Sequence, residues 1–89
     1  MIEKDLTIIN KLGLHARAAT KLAATCNRFA CSIQTGMGDK TVDAKSVMAL
    51  MLLAAAQGTK LAFTFDGEDE TEACEAITSL IADYFGEGE

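Results

Sequence analysis

The spacing of apolar residues along this chain switches repeatedly between the two-residue period of a strand and the roughly 3.6-residue period of a helix. Leu6 and Ile8 alternate with polar neighbours and predict a first strand that ends near Ile9. From Ala16 onward the apolar residues recur at helical spacing, which predicts a helix over residues 16–27. The chain must therefore combine both kinds of element around a shared core.

The alternation of element types continues along the chain. Residues 31–35 alternate as a second strand, residues 36–39 predict a turn, and residues 40–44 predict a short third strand. Ser46 stands at the expected N-cap of a helix over residues 47–53, because a serine oxygen there accepts a hydrogen bond from the first helical turn.

Strict alternation of Leu61, Phe63 and Phe65 predicts a fourth strand, which is followed by a final helix that ends at Gly86. The apolar stripe of this helix is formed by Ala73, Ile77, Leu80, Ile81 and Tyr84. The order β-α-β-β-α-β-α predicts an α+β fold, an open-faced β-sandwich whose four-stranded antiparallel sheet is covered by three helices on one face.

The length of 89 residues and the apolar fraction of 49% fit one domain over residues 1–89 with one modest core. Residues 1–5 lack the basic start and the apolar run of a secretory signal. The longest apolar stretch, residues 47–56, is too short to cross a bilayer, which needs about 20 residues. We therefore expect a soluble, cytoplasmic protein without membrane insertion.

Cys26, Cys31 and Cys74 are an odd number of cysteines, which fits free thiols in a reducing cytoplasm better than a disulfide framework. Zinc binding is the alternative, but structural zinc sites show tightly paired ligands, whereas these cysteines and His15 are scattered. We expect no metal site. Cys26 and Cys74 are predicted to lie on apolar helix faces as small hydrophobic side chains.

The formal net charge of −5 is distributed unevenly along the chain. Residues 66–89 contain nine acidic side chains and no basic one, whereas residues 1–65 contain eight basic and four acidic ones. Nucleic-acid binding is not expected, because neutralising phosphates requires a concentrated basic surface. The basic part of the chain is better suited to an acidic protein partner.

The single histidine, His15, falls at a predicted loop-to-helix junction, where backbone N–H groups and the positive end of the helix dipole favour anions. Arg17 follows two residues later and can contact phosphoryl oxygens with its guanidinium group. A neutral imidazole is a competent nucleophile near neutral pH, since its unperturbed pKa is about 6.5. Position alone leaves two interpretations open, a phosphorylated histidine or an ordinary surface or capping residue.

Two segments of the chain resemble those of a known family. Residues 12–19, L-G-L-H-A-R-A-A, resemble the active-site signature G-L-H-A-R-P-A of HPr, the histidine-phosphorylated carrier family of the bacterial phosphoenolpyruvate-dependent phosphotransferase system. Residues 45–50, K-S-V-M-A-L, resemble the family's regulatory serine segment at the expected distance from the histidine. The resemblance extends in register over essentially the whole chain and implies an HPr-like fold.

The resemblance implies a role for each matching residue. His15 would take a phosphoryl group on Nδ1 from phosphorylated enzyme I and pass it to a IIA-type component of the phosphotransferase system. Arg17 would steady the phosphoryl oxygens, and the backbone amides from Ala16 to Ala18 would surround them. Ser46 would be the second site, which an HPr kinase/phosphorylase modifies in a subset of members. Such a carrier is not an independent enzyme, and no cofactor is predicted.

The chain departs from the family signature at Ala18, where the family usually has proline. Alanine restores an N–H donor at the helix start and leaves the first turn less rigid, so we expect slightly altered phosphoryl-transfer rates. Ser46 has two interpretations: N-capping alone accounts for a serine there, and phosphorylation would add negative charge where the helix dipole tolerates it. The added charge would repel an acidic or phosphorylated partner.

The second helix is apolar on nearly every side, and a short surface helix cannot bury all of them. Leu50 and Leu53 are predicted to face the core, while Val47, Met48 and Met51 remain exposed as a partner-binding patch. The predicted partner-binding residues also include Thr20, Lys21 and Lys45.

Two other classes of function are compatible with parts of this pattern. A regulatory or ligand-binding domain could use the same fold, but it would have no need for His15, Ala16 and Arg17 at a helix start. An independent enzyme lacks support, because the chain has neither a phosphate-binding G-x-x-x-x-G-K-[ST] loop nor a convincing base–nucleophile pair. A carrier that presents one face to successive partners is expected to be a monomer.

Overall fold

The computed structural model describes residues 1–86; residues 87–89 of the predicted domain lie outside the described part. Its elements are β1 (Ile2–Thr7), α1 (Ala16–Cys26), β2 (Ser32–Met37), β3 (Lys40–Asp43), α2 (Val47–Leu53), β4 (Lys60–Asp66) and α3 (Glu70–Ala82), followed by a short 3-10 turn (Tyr84–Gly86). The predicted order β-α-β-β-α-β-α is confirmed.

The four strands form one antiparallel sheet in the order β1-β4-β2-β3. β4 runs through the middle and buries every second side chain, because successive residues of a strand point to opposite faces. Leu61 of β4 lies opposite Leu6 of β1, and Phe65 lies opposite Ile33 of β2. The helices pack on the buried face, so this sheet is the predicted open-faced sandwich.

β1 ends at Thr7 rather than near Ile9. Thr7 is paired with Lys60, the first residue of β4, so the antiparallel ladder has no further strand partner beyond it. Ile8 remains fully buried and bonds to the loop before β4, where its carbonyl accepts a hydrogen bond of 2.7 Å from Gly58 N. The alternation indicates burial correctly here, but the end of a strand is set by its partner.

The turn between β2 and β3 is shorter than the predicted turn over residues 36–39. β2 continues to Met37, which pairs with Lys40, and only residues 38–39 form the turn. Gly38 has φ of +62°, a left-handed conformation that glycine adopts without steric cost.

The prediction that Tyr84 belongs to the apolar stripe of the last helix is wrong. α3 ends at Ala82, and Tyr84 and Phe85 have φ of +57° and +55°, which the right-handed helix does not allow. This reversal exposes part of Tyr84 and buries Phe85 completely in the core. The other stripe residues, Ala73, Ile77, Leu80 and Ile81, lie on α3 against the core.

Candidate functional site

His15 is the N-cap residue of α1, with extended backbone angles of φ −78° and ψ 178°. Its carbonyl accepts the hydrogen bond from Ala19 N at 2.8 Å, which closes the first turn of the helix. The N–H groups of residues 16–18 therefore have no helical carbonyl to bond and point toward the end of α1 where His15 lies. His15 is half-buried, and Arg17 is exposed beside it.

The loop that leads to His15 is held by contacts that the sequence analysis did not identify. Asn10 is fully buried, and its side-chain Nδ2 donates a hydrogen bond of 2.7 Å to Gly13 O. Leu14 N donates to Ala55 O at 2.8 Å, which ties the loop to the chain just after α2. These residues were missed because their surroundings include residues 55 and 56, far along the chain, which no local pattern shows.

An open cavity of about 290 Å³ lies beside His15. The side chains that line it are apolar apart from the imidazole, and the lining residues are Leu12, Leu14, His15, Ala16, Met51, Ala54, Ala55 and Ala56. Ala54, the C-cap of α2, has φ of +53°, an uncommon conformation for a residue with a Cβ atom. The site thus places an imidazole and helix amides next to an apolar hollow that a partner's side chain can enter.

Exposure along α2 follows the predicted division only in part. Leu50 and Leu53 are buried as predicted, and Met48 and Met51 are 72% and 44% exposed. Val47, predicted to be exposed, is half-buried against the core, because it lies in the first turn where α2 meets the sheet and α1.

Two further apolar side chains are exposed on this side of the molecule. Leu12 precedes His15 in the loop and is 72% exposed, and Leu52 near the end of α2 is 77% exposed. Leu12 lies three positions before His15 and Leu52 directly follows Met51, and this closeness in sequence to predicted site residues was the signal that could have identified them. Leu12 also lines the cavity with Met51, so the apolar surface continues from the loop onto α2.

Ser46 is the N-cap of α2, as predicted, and its Oγ accepts a hydrogen bond of 3.2 Å from Ala49 N. Asn27, at the end of α1, donates from Nδ2 to the carbonyl of Lys45 at 2.9 Å. The start of α2 is therefore fixed both by its own cap and by the neighbouring helix.

The predicted partner-binding lysines are both engaged with backbone carbonyls. Lys21 Nζ donates to Phe85 O, and Lys45 Nζ donates to Phe29 O, each at 2.7 Å. Thr20 is exposed, and its hydroxyl donates to Ala16 O at 2.8 Å. The lysines thus hold the segments that contain Phe85 and Phe29. A partner would contact only the solvent-exposed part of their side chains.

The three cysteines are free and buried. Cys26 and Cys74 lie on the buried sides of α1 and α3, as predicted, and burial raises the pKa of the Cys26 thiol to about 12. A thiol of this kind is not a nucleophile at neutral pH. Within residues 1–86, no group of three or more histidine, cysteine or acidic side chains is placed to hold a metal ion.

The fold and the site define a small protein that presents one imidazole, flanked by helix amides, from the helical side of an open-faced sheet. The family model described as the PTS HPr component phosphorylation site matches residues 2–83. The phosphocarrier protein HPr of Neisseria meningitidis is 49% identical over 89 residues and is covered completely, as is this chain. The chain belongs to the HPr family of phosphocarrier proteins of the phosphotransferase system.

Solved structures agree with this assignment. The crystal structure of HPr-C-His from Thermoanaerobacter tengcongensis has a TM-score of 0.94 and 40% sequence identity, and the match covers 98% of each chain. A crystal structure of an HPr dimer from the same organism has a TM-score of 0.78 and covers 98% of this chain and 100% of that one. A dimer is thus known for a similar protein, and the monomeric state expected here stays a prediction. No helix within residues 1–86 is long and apolar enough to span a membrane.

Proposed function

We propose that this protein accepts a phosphoryl group on Nδ1 of His15 from phosphorylated enzyme I and passes it to a IIA-type component of the phosphotransferase system. The observation that carries the proposal is the position of His15 at the N-cap of α1. Three backbone N–H groups without helical acceptors, those of residues 16–18, can donate to phosphoryl oxygens there. The exposed guanidinium of Arg17 can neutralise part of their charge.

The chemistry needs no cofactor. The lone pair of the neutral imidazole Nδ1 attacks phosphorus, the new N–P bond forms, and the bond to the donor group of enzyme I breaks. The same steps in reverse, with an acceptor group on the IIA-type component, return the imidazole to its neutral state. Because the phosphoryl group only passes through, the protein acts as a carrier, either for sugar uptake or for a regulatory relay, and turns over no small substrate itself.

The proposal includes the setting in which such a carrier works. We place it in the cytoplasm as a monomer in which residues 1–89 form one phosphocarrier domain. A monomer leaves the helical side around His15 open to successive partners, and the small, free, buried cysteines suit a reducing compartment.

Ser46 is proposed as a regulatory phosphorylation site for an HPr kinase/phosphorylase, if the cell contains one. Its half-buried hydroxyl already caps α2, so a phosphate would keep a favourable position at the positive end of that helix. Ser46 directly precedes α2, whose exposed Met48 and Met51 are proposed to contact the partners of His15, so the new charge would lie at the edge of that surface. Incubation with such a kinase and ATP should therefore phosphorylate the wild type and leave Ser46→Ala unmodified.

The exposed apolar residues of α2 and of the loop before His15 are proposed as the docking patch, which consists of Leu12, Met48, Met51 and Leu52. Replacing both Met48 and Met51 by alanine should raise the KM of enzyme I for this protein by about fivefold or more. Truncation of a residue that anchors an interface typically weakens binding by over about 1 kcal/mol. Thr41→Ala, an exposed change on the open side of the sheet, is the matched control. Equal KM values for both variants, with unfolding transitions unchanged, would remove this patch from the interface.

The experiment that tests the function is a reconstituted relay of enzyme I, this protein and an isolated IIA-type domain, started with phosphoenolpyruvate. The IIA-type domain should become phosphorylated only when this protein is present, and His15→Ala should not support the transfer. Phosphorylation of this protein without transfer to any IIA-type domain of its own cell would contradict the carrier role and leave a regulatory one.

A further inference from the structure

Asn10 is the fully buried polar residue closest in sequence to His15. A buried amide group costs free energy unless its hydrogen bonds are made, so an apolar side chain would be the simpler choice in a core position. Here the amide bonds inside its own loop: Nδ2 donates to Gly13 O at 2.7 Å, and the backbone of Gly13 donates to Asn10 O at 3.1 Å. Asn10 thus closes the turn over residues 10–13 with two hydrogen bonds to Gly13, one donated by its side chain and one accepted by its backbone carbonyl.

The residues after this turn are confined by the end of α2. Gly13 has φ of +67°, and a Cβ atom on it would approach Ala55 O to 2.7 Å, so glycine is the residue that fits this contact. Leu14 is buried, and its N–H donates to the same Ala55 O at 2.8 Å. Only His15 separates Leu14 from the first helical residue, so a shift of the turn moves the imidazole directly.

We propose that Asn10 is a positioning residue for His15, which sets the imidazole relative to the amides of residues 16–18 and the cavity beside them. This inference rests on the proposed phosphoryl transfer at His15. Loss of the Asn10 amide loosens the turn, and the imidazole then spends less time where the incoming phosphoryl group meets the helix amides. Misplacement of a reacting group by about 1 Å can lower a rate by two orders of magnitude.

The position of Asn10 predicts which kinetic constant changes. Three of the four docking-patch residues, Met48, Met51 and Leu52, lie on α2, whereas the hydrogen bond from Asn10 Nδ2 to Gly13 O lies within the loop that also carries the fourth, Leu12. Enzyme I should therefore bind an Asn10 variant as it binds the wild type, while the transfer step itself becomes slower.

The test measures kcat and KM for phosphorylation by enzyme I with the wild type, Asn10→Ala, Asn10→Asp and Gln57→Ala. Asn10→Asp keeps the size of the side chain but replaces the Nδ2 donor that faces Gly13 O with an oxygen. Gln57→Ala is the matched control, because Gln57 Nε2 donates to Ile9 O at 3.1 Å and so supports the same loop one residue before Asn10. Circular dichroism at the assay temperature establishes the folded fraction, to which the rates are normalised.

We expect kcat to fall by about tenfold or more in both Asn10 variants, with KM within about twofold of the wild type and Gln57→Ala unchanged. The imidazole resonances of His15 in NMR spectra should also shift or broaden in the Asn10 variants and not in Gln57→Ala. Unchanged kcat in folded Asn10→Asp, a rise in KM alone, or an equal loss in Gln57→Ala would overturn the positioning role. If the wild type itself takes no phosphate, the proposed function fails instead.

Discussion

Ala18 is the third residue of α1, and its side chain is fully buried. Its N–H belongs to the first turn, where no helical carbonyl accepts it, and the carbonyl four residues earlier, that of Leu14, precedes the helix. Proline in an α-helix is costly because it removes a hydrogen bond and collides with that earlier carbonyl, and neither cost applies fully here. The position is therefore compatible with the proline that the family signature usually has.

Ala18→Pro tests how much the third amide contributes to the site. The variant should fold and gain up to about 1 kcal/mol in the free energy of unfolding, because proline restricts the unfolded chain. Its rate of phosphorylation by enzyme I should stay within about tenfold of the wild type, since the amides of residues 16 and 17 remain. Chemical denaturation and single-turnover kinetics measure the two effects. Complete loss of phosphorylation in a folded variant would show that the Ala18 amide is required.

The position of His15 at a helix start was predictable from the sequence, and the burial of Asn10 was not. A histidine followed by a helical period identifies a helix start without knowledge of the rest of the fold. The proposed role of Asn10 depends on Gly13 and its carbonyl, which lie against Ala55, a residue far later in the chain. Local pattern therefore places His15 at a helix start, and tertiary contact shows what holds the loop before it.

Among the elements, α3 is connected to the start of β2 by Asp69, the residue before its first turn. The carboxylate accepts hydrogen bonds from Ala30 N at 2.8 Å and Cys31 N at 2.9 Å. These bonds, that from Ala30 most strongly, lower the pKa of Asp69 from its ordinary value of 3.8. Because the folded-state pKa is depressed, the carboxylate stabilises the fold above about pH 4, and this stabilisation is lost as the pH falls through the depressed value.

Asp69→Asn should therefore destabilise the protein near neutral pH and make little difference in acid. A carboxamide can still accept one of the two hydrogen bonds, but without the charge that strengthens both. Urea unfolding of the wild type and the variant at a series of pH values measures the difference, which should shrink steadily below about pH 4. Glu68→Gln, an exposed neighbour, is the control for the loss of one negative charge. A difference that is constant with pH would contradict the role of the ionised carboxylate.

The type and order of the elements were predictable because each carries its own apolar period, as Leu61, Phe63 and Phe65 show for β4. The residues at which the elements end were less predictable. β1 ends at Thr7 because its pairing partner is the first residue of β4. β2 continues to Met37 because Met37 pairs with Lys40 of β3. Half-burial of Val47 likewise follows from where α2 meets its neighbours, not from its helical position.

Across the whole molecule, the chain after α3 closes the core beside α1. Phe85 is fully buried, and its carbonyl accepts the hydrogen bond from Lys21 Nζ on α1. Tyr84, its neighbour, has a similar left-handed backbone but is 37% exposed. The molecule thus uses a residue beyond its last helix to cover the helix that carries the proposed acceptor.

Phe85→Ala and Tyr84→Ala form a matched pair that separates core packing from backbone conformation. Phe85→Ala should lower the free energy of unfolding by about 3–5 kcal/mol, since a buried aromatic side chain is removed and a cavity remains. Tyr84→Ala should cost less than about 1 kcal/mol, as expected for a partly exposed side chain. Thermal and urea unfolding measure both. Equal losses would mean that the left-handed turn, and not the burial of Phe85, closes this end of the core.

Whether His15 receives the phosphoryl group is best measured by intact mass after incubation with cognate enzyme I and phosphoenolpyruvate. Wild type and His15→Ala are compared before and after brief acid treatment. We expect one added phosphoryl group on the wild type, its removal by acid as in a phosphohistidine, and none on His15→Ala. No phosphoryl group on the folded wild type, or an equal and acid-stable one on His15→Ala, would contradict the proposed role of His15.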